Sequence, residues 1–354
     1  MISVLGPRRR SGAAPLACFL LVVSLLAAAC GGGPKVANPL PTAPEPAVSP
    51  APQPQLPGTV VPLAGAPEGI AIVRSGTVAV AVRDPNQVVL FDLARPTQRR
   101  TVALTGSARH LFLGGPDGPL LIPQESDDHF VALSLPDGRV LESVAVGRQP
   151  HDSIAVGPDT VFVADELADT IHIVRNGAVT RVVGAPLQPG GMASAPDGSV
   201  MVTVGVRGRR ITAYRPDGTT LGTANCGVGP THAVTGSDGL YWVVDTNGGA
   251  ILGFRVDDHG PHQVVRIPVG ARPYGIAYDE RRSTLWVTLT ATDQVVGIHL
   301  KATTVTSRTT YNTVQQPNTV AVDDASGEIV VTGSTPQGSL QFIPLGQRPP
   351  GPGA

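Results

Sequence analysis

Charge is scarce in this sequence. Only 15% of its 354 residues are Asp, Glu, Lys or Arg, and the formal net charge is −1. No basic field is present to hold nucleic acid or an anionic membrane surface. Aromatic residues make up 4%, too few for platforms on which bases or sugars would stack. Cysteine occurs three times, at Cys18, Cys30 and Cys226. The main apolar run, Leu16 to Ala29, has 14 residues, short of the ~20 that a membrane-spanning helix needs. No stretch after residue 58 has a helical period. Gly-x-Ser-x-Gly, His-Glu-x-x-His, P-loop and dinucleotide fingerprints are absent. Of seven glutamates, only Glu68 is expected at the channel mouth described below, so a paired-carboxylate hydrolase has little support.

Glycine and proline are abundant instead, 42 and 35 residues. Placed at random they would imply disorder; placed regularly they imply many short strands joined by turns. The N-terminus reads as an export signal over 1–29. Arg8, Arg9 and Arg10 form its basic start, the apolar run its centre, and Ala27-Ala28-Ala29 its small-residue end. Cys30 and three glycines follow. This resembles the lipobox of bacterial lipoproteins, with Ala27 where leucine is usual and Leu26 one place earlier. The resemblance implies cleavage before Cys30, lipid on Cys30, and a folded part outside the cytoplasm. Cys226 is then the one unassigned thiol, read as a small buried hydrophobe.

Residues 34–57 contain nine prolines. The segment 30–57 reads as a disordered, polyproline-like tether reaching on the order of 80 Å and burying nothing. Residues 347–354 read as a disordered tail.

From residue 66 a short pattern recurs: PEGIAI from Pro67, ARHLFL from Ala108, PHDSIAV from Pro150, PGGMAS from Pro189, PTHAVT from Pro230, PYGIAY from Pro273 and PNTVAV from Pro317. The spacings are 41, 42, 39, 41, 43 and 44, the period of a four-stranded propeller blade. Turns such as Pro196-Asp197-Gly198 separate period-two strands such as Thr77–Val82, Gln87–Phe91 and Thr284–Thr288. The reading is all-β: a seven-bladed β-propeller of four-stranded antiparallel blades over 58–346. The last repeat stops after its third strand, Ser339–Ile343. An N-terminal strand, Thr59–Leu63, is expected to complete that blade and latch the ring, leaving no open sheet edge.

The "P-x-G-I-A" strand followed by "x-V-x-V-T/A" and "D/N-x-V-x-V" resembles the YVTN-type propeller family, and less closely NHL propellers. Val243-Val244-Asp245-Thr246-Asn247 and Trp286-Val287-Thr288 carry the likeness. Such propellers include binding domains, lactonase-like enzymes and antibiotic lyases, so the resemblance implies the fold and leaves the function open.

In a propeller each innermost strand starts beside the axis. The residues just after the repeat prolines therefore converge at one mouth: Glu68, Arg109 with His110, His151 with Asp152, Gly190, Thr231 with His232, Tyr274 and Asn318. Convergent polar groups in a concave mouth make a ligand-binding candidate. His110, His151 and His232 are also a metal-ligand set on paper. They come from blades 2, 3 and 5, a separation that argues against a shared ion, and no cofactor is expected. A purely structural ring of polar residues remains the alternative. His129, His259 and His262 fall at turns, His172 and His299 on third strands, and Arg207, Arg209 and Arg210 in a solvated turn.

Two functions follow. One is a lipid-anchored binding or scaffold module of the cell envelope, monomeric, with a protein, peptide or envelope ligand at the channel mouth. The other is an exported enzyme of the lactonase or lyase kind using Glu68, His110, His151 and His232. Anchoring has a direct test: a fatty-acid analogue should label the wild type in cells and leave Cys30→Ser unlabelled, and equal labelling would remove the lipoprotein reading.

Overall fold

The structure is a computed structural model that describes residues 41–345 except Ser237. The signal segment, Cys30, the first part of the proline-rich segment and the tail lie outside the described residues.

Seven four-stranded antiparallel sheets follow one another along the chain. Each blade runs from an inner strand outward. In blade 1 these are Ala66–Ile72, Thr77–Arg83, Gln87–Asp92 and Arg95–Ala103. The inner strands of blades 2 to 7 are Phe112–Leu113, Pro150–Ala155, Pro189–Ser194, Pro230–Thr235, Pro273–Asp279 and Pro317–Val322. No helix occurs among the described residues. The strands read as Thr77–Val82, Gln87–Phe91 and Thr284–Thr288 each run one residue further, to Arg83, Asp92 and Leu289, whereas the N-terminal strand read as Thr59–Leu63 ends at Pro62. Thr59–Pro62 pairs antiparallel with Ser339–Ile343, so the last sheet takes its outer strand from the start of the fold.

Burial explains the composition. The second strands Leu120–Gln124, Met201–Gly205, Tyr241–Asp245, Thr284–Leu289 and Ile329–Gly333 are buried along their whole length, because blades stack on both faces. The outer strand Arg95–Ala103 is mostly exposed. Trp242 and Trp286 are the largest fully buried side chains. Each faces a cross-strand glycine, Gly253 and Gly297. A Cβ on Gly297 would lie 2.6 Å from the Trp286 ring, so the indole occupies the space that a side chain there would need.

Neighbouring blades are also stitched beside the axis. Asp128, Asp169 and Asp293 each accept the backbone N–H of the glutamine before the next blade's proline: Gln149 at 2.8 Å, Gln188 at 2.7 Å and Gln316 at 3.1 Å. Those glutamines hold positive φ of 54°, 55° and 59°, a conformation uncommon outside glycine and fixed here by the carboxylate.

One expectation is overturned. Residues 41–57 do not hang free but lie across the propeller. Arg207 Nε donates to the Pro41 carbonyl at 3.0 Å, and Arg272 to that of Glu45 at 2.7 Å. Ala47 N donates to Thr290 at 2.9 Å, and Gln316 Nε2 returns a bond to the Ala47 carbonyl at 2.9 Å. Gln315 reaches Pro50 at 2.7 Å and Gln341 reaches Pro57 at 2.9 Å. Pro44 is buried. The proline-rich composition predicted a chain without sheet partners, and it has none. Its free carbonyls nevertheless meet arginine and glutamine donors on the blades, and Arg207 is accordingly not a solvated turn residue.

Candidate functional site

Six inner strands share one irregularity. The repeat proline pairs with the end of the second strand, as in Pro67 with Val82, Pro230 with Asp245 and Pro273 with Leu289. Directly afterwards the register slips, so the inner strand holds one residue more than its partner. A bulge of this kind re-aims side chains. Two successive residues per blade then serve the axis, in two tiers. The outer tier is Glu68, Arg109, His151, Gly190, Thr231, Tyr274 and Asn318. Below it lie Gly69, His110, Asp152, Gly191, His232, Gly275 and Thr319. A Cβ on Gly191 or Gly275 would sit 2.5 Å from the carbonyl of Thr231 or Asn318, so neighbouring inner strands approach too closely there for a side chain.

All eight candidate residues from the sequence line this axial cluster. Outer-tier residues pair with residues that sequence reasoning missed. Glu68 is ion-paired with Arg83 and lies 3.4 Å from the Asn318 amide. Arg109 Nε lies 3.4 Å from Glu125. His151 Nδ1 is 2.6 Å from Glu125 and 3.6 Å from Glu166. Gln149 and Gln188 each donate to Glu166 at 2.6 Å. Thr231 and Thr246 hydroxyls lie 2.9 Å apart. Glu68 is therefore not alone at the mouth; Glu125 and Glu166 stand there too. The sequence carried their signal: Arg83, Glu125, Glu166 and Thr246 each sit one step past the second-strand residue opposite the first position of the repeat, Pro67, Ala108, Pro150 and Pro230.

The electrostatics follow from burial. Desolvation opposes charge on His151, but the Glu125 hydrogen bond and both carboxylates outweigh it and raise the imidazole above its ordinary value. Desolvation likewise works against the Glu125 carboxylate, yet the His151 bond and Arg109 hold it at about 2. Burial also penalises the Arg109 cation, and Glu125 and Glu68 more than restore it.

The lower tier is the reverse case. His110 and His232, from blades 2 and 5, meet across the axis with Nε2 atoms 3.1 Å apart. The separation expected from blade positions is thus closed by the narrowness of the axis. Burial, then neighbouring histidine charge, pushes both well below the usual histidine range. Two neutral rings, one donating and one accepting, fit that contact. Ring centroids of His110 lie 4.5 Å from His151 and 4.8 Å from His232, and His232 lies 4.6 Å from Tyr274. Asp152 is fully buried, accepts from Ser153 N at 2.8 Å and Met192 N at 2.9 Å, and lies 3.4 Å from His110 Nδ1. Burial pushes its carboxyl up to about 8 despite His151 and those bonds.

Among the described residues, the set with donor atoms within 4.8 Å of one another is Glu125, His151 and Glu166, not the three histidines. Those donors already serve Arg109, Gln149 and Gln188, so an ion there would have to displace existing hydrogen bonds.

The lower tier forms the floor of an axial channel of about 340 Å³, walled by Ile70, Leu111, Phe112, Ile276 and Val320. On the other side Ala43, Pro44 and Glu45 cover His151, Glu166 and Tyr274, leaving about 30 Å³. The mouth chosen from the sequence is therefore the covered one. Other histidines have structural roles: His172 Nδ1 meets buried Asp165 at 2.5 Å, and His299 meets Thr284 at 2.9 Å. Cys226 is buried and its thiol is pushed up by desolvation.

No family model matches the chain, and no curated protein matches it. Solved structures do. A streptogramin B lyase structure superposes with TM-score 0.67 at 14% identity, covering 81% of this chain and 98% of that one. Virginiamycin B lyase from Staphylococcus aureus gives TM-score 0.66 at 14% identity, with coverage of 81% and 99%. A chain of the mitotic checkpoint complex gives 0.69 at 12%, with coverage of 88% and 98%. At such identities the likeness shows the fold alone, a seven-bladed β-propeller.

The Asp152 environment makes a prediction about stability. Its folded pKa of about 8 lies above the ordinary 3.8. The folded state thus keeps a proton that the unfolded state loses, and stability falls as pH rises between those values. Asp152→Asn removes that dependence. Its baseline cost aside, its stability relative to wild type should rise with pH, by at most about 1.4 kcal/mol per unit. Urea unfolding at pH 5, 6.5 and 8 checks this; parallel profiles would contradict it.

Proposed function

We propose that the chain is an exported binding propeller, held at the membrane by lipid on Cys30. Its ligand is a small molecule with an apolar body and one polar end. The body lies along Ile70, Leu111, Ile276 and Val320, and the polar end meets His110, Asp152 and His232. The observation that carries the reading is the position of the lower tier: hydrogen-bonding groups close the floor of an otherwise apolar channel. Pockets that combine apolar walls with a few placed polar groups are the usual form of small-ligand sites. The docked strap also shortens the anchor. From Cys30 to Pro41 is about 40 Å of fully extended chain at most, so the propeller stands closer to the membrane than a tether of about 80 Å would hold it.

A second reading, an enzyme of the lactonase or lyase kind, is favoured by one observation. A carboxyl raised to about 8 lies beside imidazoles kept neutral. Groups whose environments push their protonation apart are suited to acid and base roles. The lyases among the similar folds are consistent with it.

A thermal-shift screen of small amphiphilic compounds tests both. A compound that raises the wild-type melting temperature should lose its effect in His232→Ala and in Ala321→Phe, which narrows the channel. Mass spectrometry of that compound after incubation separates the readings: unchanged mass supports binding, and a bond cleaved by wild type but not by His110→Ala supports the enzyme. A shift that survives both substitutions would place the ligand elsewhere and overturn the proposal.

A further inference from the structure

The strap formed by residues 41–57 lies over the outer tier, and the way it is held is unlike the rest of the fold. It joins no sheet. Its attachments are backbone groups of the strap against side-chain ends of Arg207, Arg272, Gln315 and Gln316. Ser49 adds the firmest point: its hydroxyl donates to the Thr290 carbonyl at 3.0 Å and contacts Asp293, and it accepts from Gln316 N at 2.9 Å. Burial contributes little, since Pro44 alone between 41 and 57 is fully buried and Val48 is 93% exposed. Segments held by few apolar contacts and by solvent-reachable hydrogen bonds open at low cost while the core stays folded.

Beneath this strap lie Arg109, His151 and Glu166, with Glu125 bonded to His151 from the side. The gap between strap and groups is about 30 Å³, room for one or two waters and for no larger ligand. His110 and His232 border both the axial channel and this gap, whereas His151 borders only the gap. His151 is thus closed off from the channel by the lower tier and from solvent by the strap.

We propose that residues 41–57 are a displaceable cap, a built-in inhibitor of the channel mouth, and that the Arg109–Glu125–His151–Glu166 layer becomes reachable only when it lifts. The proposal takes the axial layer as the site, as above, but its test needs no ligand and so can fail or succeed independently. The strap leads directly into the segment that follows Cys30. Lifting it would both uncover the mouth and free about 16 more residues of reach toward whatever the chain is anchored to.

The probe is diethyl pyrocarbonate, which carbethoxylates accessible neutral imidazoles, with each histidine followed by peptide mass spectrometry. Rates are taken across pH 6–9 and expressed per neutral imidazole, so that the raised His151 is compared by access alone. The exposed His259 is the internal standard. In the intact chain His151 should react at least tenfold more slowly than His259. Deleting 41–56 should bring His151 to within about threefold of His259 while His259 itself is unchanged. Because a deletion can disturb folding, the full-length double substitution Ser49→Ala/Arg272→Ala is measured beside it, with circular dichroism melting to show an intact ring. It should raise the His151 rate by an intermediate factor. If His151 reacts rapidly in the intact chain, the mouth is not closed. If it stays slow in folded variants lacking or loosening the strap, something other than the strap closes it. Either result overturns the cap.

Discussion

In six of the seven blades one extra residue in the inner strand, just after the repeat proline, shapes the axial site; blade 2, which supplies Arg109 and His110, starts its repeat at Ala108 instead. A strand without it sends successive side chains to opposite faces, so each blade would bring a single residue to the axis. The bulge brings two, and the axis acquires two chemically distinct tiers. The proline fixes where the slip begins, because it cannot donate to the ladder. The lower-tier glycines then allow neighbouring strands to approach backbone to backbone, and the narrow axis leaves His110 within hydrogen-bonding distance of His232.

The two tiers solve the burial of polar groups differently. The outer tier keeps its charges and pairs each one: Glu68 with Arg83, and Arg109, Glu125, His151 and Glu166 with one another. Buried charges persist only when paired and hydrogen-bonded, and the glutamines before the prolines complete the second requirement for Glu166. The lower tier gives up its charges instead. His110, His232 and Asp152 are neutral in the form that burial favours, and they face an apolar channel. A charged network beneath a strap and a neutral polar floor beneath a channel are suited to different tasks, which is why ligand entry is proposed at the channel and access control at the strap.

Much of this was legible in the sequence. Seven copies of a pattern at about 41 residues determine blade number, and the incomplete last repeat with a spare N-terminal strand determines how the ring closes. The residues after the first position of each repeat, a proline in six copies and Ala108 in the second, named all eight axial candidates. Glu125 and Glu166 were missed because they sit on the partner strand, and only the pairing register shows that Asp165 stands opposite Pro150, which places Glu166 at the axis. The closeness of His110 and His232 was missed for a similar reason: blade order gives angular separation but not the radius of the axis. The docking of 41–57 was invisible because proline-rich composition reports the absence of strand pairing and says nothing of carbonyls meeting arginines on another part of the chain.

The central claim is that one axis holds a histidine raised above its ordinary range over two that are held well below it. Nitrogen-15 NMR of ring-labelled histidines across pH 4.5–8.5, with assignments from single His→Gln variants, tests it most directly. The account predicts that His151 titrates above the ordinary histidine value of about 6.5, and that His110 and His232 remain neutral well below it. Protonation of His110 or His232 near pH 6.5, or a His151 already neutral there, would contradict the account.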